Sequence, residues 1–314
     1  MRIGRGLVLL LPLALAAGSC RSQPRFREAM KLGGVPVPAA TLNQGYAAYM
    51  QACYACHGEK GDGRGPAAAT MRPSPRDFST AVFKFAGVSA GELPGDDDLV
   101  DLIRNGLTGT PMLPWDLPDQ QRRAIVQYLK TFSPRWARET PGERVLPDGA
   151  DPWLGREAEA IEVGEKIYHL SGVELDPATN QPKAILAGCN ACHPSYLSAA
   201  ELTALSTRVL HKPAEPRANP HRPAFKESEY LVDDTKVGFL PTDFLFHQVK
   251  NGTAPLALFR TIAAGIGGTA MPTWKGSVKD DDLWALVHYV RHLISLRDTD
   301  AGNRLKAKLV AATP

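Results

Sequence analysis

The chain has 314 residues and a formal net charge of +3, from 36 basic and 33 acidic side chains. A balance so near neutrality leaves no electrostatic footprint for nucleic acid. Strand patterns are nearly absent, while 28 Gly and 26 Pro punctuate long connections, so the expected fold class is all-α with irregular loops.

At the N-terminus Arg2 and Arg5 precede an apolar run from Gly6 to Ala16, of signal-peptide length and too short to span a bilayer. Residues 1–19 therefore read as a leader that directs export, and its loss would bring the basic side chains to within one of the acidic ones. Cys20 follows Ala17-Gly18-Ser19, which resembles a bacterial lipobox with Ala17 in place of the usual Leu. In such a motif the cysteine carries lipid and becomes the first mature residue. The alternative is ordinary cleavage near Ala16 or Ala17 with a leftover thiol, an odd outcome in an oxidising compartment. Residues 20–40 then read as a tether, and the expected location is the bacterial periplasm, attached to a membrane by lipid.

The first folded unit is expected over 41–132. Tyr46, Tyr49, Met50 and Cys53 fall at i, i+3, i+4 and i+7, and so do Ile125, Tyr128, Leu129 and Phe132, which predicts two amphipathic helices bracketing the unit. Between them, Cys53-Tyr54-Ala55-Cys56-His57 has the C-x-x-C-H spacing of covalent haem attachment. One helical turn brings both thiols to one face, where each can form a thioether, and the next histidine then lies under the iron. For a lone C-x-x-C, a zinc knuckle or a redox dithiol would be the plainer reading. His57 is the only histidine before His169, so the sixth ligand in this stretch is methionine, a mobile side chain, or nothing. Met112, in Gly109-Thr110-Pro111-Met112-Leu113-Pro114-Trp115, is preferred over Met50 and Met71.

Residues 133–157, with Pro134, Pro141, Pro147 and Pro152, read as a semi-rigid linker. A second unit over 158–300 repeats the first. Cys189-Asn190-Ala191-Cys192-His193 copies the haem motif, and Met271 is the only methionine after Met112. Ile103-x-x-Gly106-Leu107-x-Gly109-Thr110-x-Met112-x-x-Trp115 matches Ile262-x-x-Gly265-Ile266-x-Gly268-Thr269-x-Met271-x-x-Trp274. Pro75-x-Asp77-Phe78 answers to Pro241-x-Asp243-Phe244, and Gly45-x-x-x-Tyr49 to Gly164-x-x-x-Tyr168. His169, His211, His221, His247, His288 and His292 are competing ligands in this half, but the context of Met271 favours it. Extra segments lie at about 172–188 and 195–238, the second either a surface loop over the haem or a docking surface. Leu283, Leu286, Val287, Val290, Leu293 and Ile294 form one helical stripe led by Asp280, Asp281 and Asp282, with His288 and His292 read as solvent-facing. Residues 301–314 read as a C-terminal tail.

These motifs together resemble the class I c-type cytochromes, in particular their two-domain dihaem bacterial envelope forms, over about 41–132 and 158–297. The resemblance implies two tandem cytochrome c-type helical haem domains and two covalently bound haem c. Cys53, Cys56, Cys189 and Cys192 would attach them, with His57 and Met112, and His193 and Met271, as axial ligands. It also implies a proline carbonyl bonded to the haem histidine, for which Pro66 in the loop Gly58 to Pro66 is the candidate; no such loop follows His193. Six-coordinate haem passes single electrons. The expected role is therefore an electron carrier, not an enzyme, between redox partners such as an oxidase, a quinol-oxidising complex or a periplasmic dehydrogenase. A dihaem cytochrome c peroxidase, which would need a five-coordinate haem with acid-base groups above it, and a permanent subunit of a respiratory or dehydrogenase complex are the alternatives.

Overall fold

A computed structural model describes residues 23–215, 217–232 and 235–311, with side chains left aside over 228–237. The leader and Cys20 lie outside the described residues. Among the described residues helices predominate, and the strands are few and short.

The first unit starts earlier than the sequence suggests. The stretch read as a tether is folded from Phe26 on, whose amide and carbonyl both bond the Asn43 side chain. Strands β1 (Met30–Leu32) and β2 (Val35–Val37) form an antiparallel hairpin that buries Leu32 and Val37 in the core. Helix α1 (Ala39–Ala52) leads into α2 (Tyr54–His57), a single turn within the first C-x-x-C-H motif. After a long loop come α3 (Asp96–Asn105), whose first turn is all acidic, and α4 (Asp119–Lys130). The short α5 (Arg135–Arg138) buries Trp136 against the hairpin, where the Gly33 amide donates to the Trp136 carbonyl at 2.6 Å.

The second unit is built on α6 (Glu157–His169), α8 (Pro255–Ala264), α9 (Asp280–Ser295) and α10 (Asp300–Ala311). Its extra segments supply β3 (Ser171–Leu175), β4 (Pro182–Ala187), α7 (Ala199–Leu210), β5 (Lys226–Val232) and β6 (Thr235–Phe239). Strands β3 with β4 and β5 with β6 pair as antiparallel hairpins, so the structure is mostly helical, as expected, with three short hairpins added. The expected tail is also corrected: α10 packs back on the unit, burying Leu309 in its core.

Each unit has its own apolar core, with Tyr49, Ile125 and Tyr128 fully buried in one and Ile167, Phe259 and Leu283 in the other. Burying a large apolar side chain contributes about 1.5–3 kcal/mol, so these cores supply the main drive for folding. At their centres, α1 lies on α4 and α6 lies on α9. Gly45 and Gly164 permit the approach. A Cβ on Gly45 would fall 2.0 Å from the Ala124 carbonyl oxygen, and one on Gly164 would fall 2.2 Å from that of Ala285. Tyr128 and Tyr289, four residues further along, occupy the same place on the facing helix.

The connecting segment is pinned by specific bonds at both ends. Its Val145 amide donates to Gly87 at 2.8 Å, and Arg144 pairs with the buried Asp98 at 3.0 Å, both in the first unit. Further on, Asp148 pairs with Lys275 at 2.8 Å, and the Trp153 indole donates to the Asp281 carbonyl at 2.8 Å, both in the second. Asp151 meets His288 at 2.8 Å; that histidine is buried, which corrects its reading as solvent-facing. The cause is a partner 137 residues away in sequence, beyond the reach of helical periodicity.

The units also touch through reciprocal loops. The Thr108 amide donates to the Lys250 carbonyl at 2.9 Å, and the Ala90 amide donates to the Thr273 hydroxyl at 2.9 Å.

Candidate haem-attachment sites

Both C-x-x-C-H segments fold as one tight turn, the first directly after α1 and the second directly after β4. In the first, the His57 amide donates to the Cys53 carbonyl at 2.9 Å; in the second, the His193 amide donates to that of Cys189 at 2.9 Å. The thiols of each pair stay unbridged. Burial pushes the Cys53 and Cys189 thiols up to about 12, so they stand as neutral thiols. Among the described residues, no group of three or more His, Cys, Asp or Glu is placed to hold a metal ion, so neither pair has the extra ligands of a zinc knuckle.

The histidine settings match in detail. His57 Nδ1 donates to the Arg76 carbonyl at 3.0 Å, and His193 Nδ1 donates to the Thr242 carbonyl at 2.9 Å. A carbonyl can only accept, so Nδ1 carries the proton and Nε2 the free lone pair. Burial lowers both histidine pKa values, opposed by those bonds, and keeps the rings neutral. Phe78 stacks on His57 with ring centroids 4.5 Å apart, and Phe244 stacks on His193 at 5.3 Å. The repeated Pro-x-Asp-Phe segment thus provides a carbonyl and a ring to each histidine. Asp77 and Asp243 close the turn behind it, accepting from the Ser79 and Leu245 amides.

This corrects the expectation for Pro66. The loop around it turns amides towards the motif: Gly63 donates to His57, Gly65 to Cys56 and Ala67 to Ala55. The histidine proton is met instead by Arg76, and in the second unit by Thr242. A tyrosine completes each setting. The Tyr49 hydroxyl donates to the Gly58 carbonyl at 2.6 Å, and that of Tyr168 donates to the Pro194 carbonyl at 2.9 Å. Each acceptor directly follows the motif histidine. These partners escaped notice in the sequence, although the recurrence of Pro-x-Asp-Phe and Gly-x-x-x-Tyr was the signal that could have found them.

The methionine loops repeat as well. Thr110 and Thr269 accept from the amides of Met112 and Met271 and donate to the carbonyls of Leu107 and Ile266. Gly106 and Gly265 end α3 and α8 at φ of 62° and 75°, where a side chain would strike the backbone of the methionine segment. Both methionines are half-buried. Met271 packs on the core of its unit; in the first unit Met50, not Met112, is the methionine packed on the core.

Competing histidines of the second half are partly accounted for. His169 donates from Nδ1 to the Glu165 carbonyl at 2.9 Å and accepts at Nε2 from the Tyr196 amide at 3.1 Å, which occupies both ring nitrogens. His247 accepts from the Asp243 amide, and His288 is held by Asp151.

A neutral imidazole with a free Nε2, set directly after two unbridged thiols, is the donor set that haem c requires, so the residues fit that group. Residues 40–129 match the family model of the cytochrome c oxidase, cbb3-type, subunit III. A solved chain of the Kuenenia stuttgartiensis reducing HAO-like protein complex is 27% identical, with 80% of this chain and 96% of that one covered at a TM-score of 0.57. No curated protein matches the chain. Residues 40–129 are thus similar to a cytochrome c domain, an electron-transfer module, and that match implies covalently bound haem c.

Proposed function

We propose that the chain is a dihaem c-type cytochrome that carries single electrons between redox proteins of the bacterial envelope. The observation that supports it most is the second copy of the histidine setting. A carbonyl, a stacked phenylalanine and a tyrosine bond recur around His193 as they stand around His57. Bound haem supplies a one-electron couple between ferric and ferrous iron. In this reading Cys53 and Cys56, and Cys189 and Cys192, hold the two groups by thioethers, while His57 and His193 offer Nε2 to iron. Met112 and Met271 would supply the thioether ligands, and thioether ligation favours the ferrous state. With histidine and methionine both bound, the iron would keep no open position for substrate, which suits carriage.

Both loops that carry these methionines lie where the units meet, which favours exchange of electrons within one chain. The leader and Cys20 extend the reading to an exported lipoprotein at a membrane, served by an oxidase, a quinol-oxidising complex or a periplasmic dehydrogenase. A permanent subunit of a larger assembly is the second reading, favoured by the similar chain being part of a protein complex. The test is haem stoichiometry on the purified full chain, with pyridine haemochrome absorbance set against protein mass. Two haems per chain are expected, falling to one in Cys189→Ser/Cys192→Ser. One haem in the unmutated chain would overturn the dihaem reading.

A further inference from the structure

We infer that Arg217 is a positioning residue for the second haem-attachment turn, where its guanidinium replaces the glycine loop that serves the first. This rests on the reading of Cys189, Cys192 and His193 as a haem site. In the first unit, the loop after His57 covers the open carbonyls of the turn with its own amides: Gly63 donates to the His57 carbonyl at 3.0 Å and Gly65 to that of Cys56 at 3.1 Å. After His193 the chain runs Pro194-Ser195-Tyr196 and departs into α7, so no such amides follow. The segment beyond α7 returns to do the same work. The Ala224 amide donates to the Cys192 carbonyl at 2.8 Å, as Gly65 does to Cys56.

The His193 carbonyl is met by a side chain. Arg217 Nη2 donates to it at 3.1 Å, and Nε donates to the Asn190 carbonyl at 3.0 Å. The same guanidinium reaches the carbonyls of Asn219, Pro220 and Arg222, which ties the returning segment to the motif. Five donors in one rigid plane suit this task, and the three donors of a lysine ammonium, all on one atom, do not. The segment is anchored twice more: the Ser195 amide donates to Pro220, and His221 Nδ1 donates to the Ser195 carbonyl at 2.9 Å. The 195–238 segment is thereby assigned in part: its stretch from Arg217 to Ala224 belongs to the site.

Two consequences separate. As a hydrogen-bond fork, Arg217 holds the turn open to thioether formation, in which each thiol adds across a vinyl double bond, sulfur to one carbon and hydrogen to the other, with no net change of electrons. As a fixed positive charge beside the His193 backbone, it disfavours the ferric state, so it raises the reduction potential of that haem alone.

The experiment uses the full chain expressed with haem-attachment machinery, in four forms: unmutated, Arg217→Lys, Arg217→Gln and Lys212→Ala as an exposed control in the same segment. Peptide mass spectrometry after thiol alkylation reads haem on each Cys pair separately, and a spectroelectrochemical titration reads each potential. Expected for Arg217→Lys and Arg217→Gln is a several-fold loss of haem on Cys189 and Cys192, with Cys53 and Cys56 fully loaded. In the fraction that does carry both haems, Arg217→Gln should show a more negative potential for the second haem only, with Arg217→Lys closer to the unmutated value. Lys212→Ala should match the unmutated chain. Full loading with an unchanged second potential in Arg217→Gln would overturn the assignment of Arg217 while the dihaem reading stands. An unmutated chain with haem on Cys53 and Cys56 alone would overturn that reading, and this inference with it.

Discussion

Adding one methyl group at Gly45 or Gly164 should unseat the helix pair at the centre of a unit. The new Cβ would lie 2.0 Å from the Ala124 carbonyl oxygen or 2.2 Å from that of Ala285. Carbon and oxygen in van der Waals contact sit roughly 3.3 Å apart or more, so α1 and α4, or α6 and α9, would have to separate by about 1 Å. The obstacle is backbone, which no rotamer change relieves. Overpacking of a close-packed core costs about 1–3 kcal/mol, and a clash with helix backbone belongs at the upper end, near 3 kcal/mol. The seam that opens also carries Tyr49 and Tyr128, or Tyr168 and Tyr289, whose rings pack 5.2 Å and 5.3 Å apart. Guanidinium unfolding of haem-loaded Gly45→Ala and Gly164→Ala, followed by far-ultraviolet circular dichroism, should show one of the two units losing about that much stability. A loss below about 0.5 kcal/mol in both variants would refute the close approach.

Two further outcomes are expected. Burial lowers the His169 pKa to about 4, so between its unfolded value and that one the unfolded chain takes up a proton that the folded chain refuses. Stability present at neutral pH should therefore fall by about 2 kcal/mol between pH 7 and pH 5, and His169→Gln should remove that component from urea titrations; equal slopes in both proteins would count against it. If Cys20 carries lipid, the mature chain should partition into detergent and resist salt extraction, and Cys20→Ser should release it with haem content unchanged; unmutated protein recovered in the soluble fraction with a free Cys20 thiol would sink the anchor.

What the sequence disclosed was whatever a side chain has to do. Two thiols and an imidazole at fixed spacing cannot be replaced, so both motifs were legible, and so were the apolar stripes of α1, α4 and α9. The carbonyl that holds each histidine was not legible for the opposite reason. Arg76 and Thr242 share no side-chain chemistry, because the contact uses only backbone. Only their flanking Pro-x-Asp-Phe residues, which shape the turn, leave a trace. The hairpin of β1 and β2 escaped because strands of three residues give no readable alternation. Helix α10 escaped because only Leu305 and Leu309, four residues apart, face its core, too few for a stripe. The burial of His288 depends on Asp151, and no local pattern encodes so distant a pair.

The interface adds something that neither copy of the repeat contains alone. Thr108 and Gly267 occupy the same place in their loops, two residues after Gly106 and Gly265. Thr108 meets the Lys250 carbonyl; a Cβ on Gly267 would stand 2.4 Å from the Phe83 carbonyl oxygen. Phe83 and Lys250 in turn lie five and six residues after Phe78 and Phe244. Each unit therefore sets its methionine loop against the segment that leaves the other unit's histidine-binding turn. A reciprocal contact of this kind follows when two units with matching loops meet, since one self-complementary surface then serves both sides. The near-symmetry also explains why glycine stands at 267 while threonine is allowed at 108. The two contacts are related but differ in register by one residue, and only one of them brings carbonyl oxygen to within reach of a side chain.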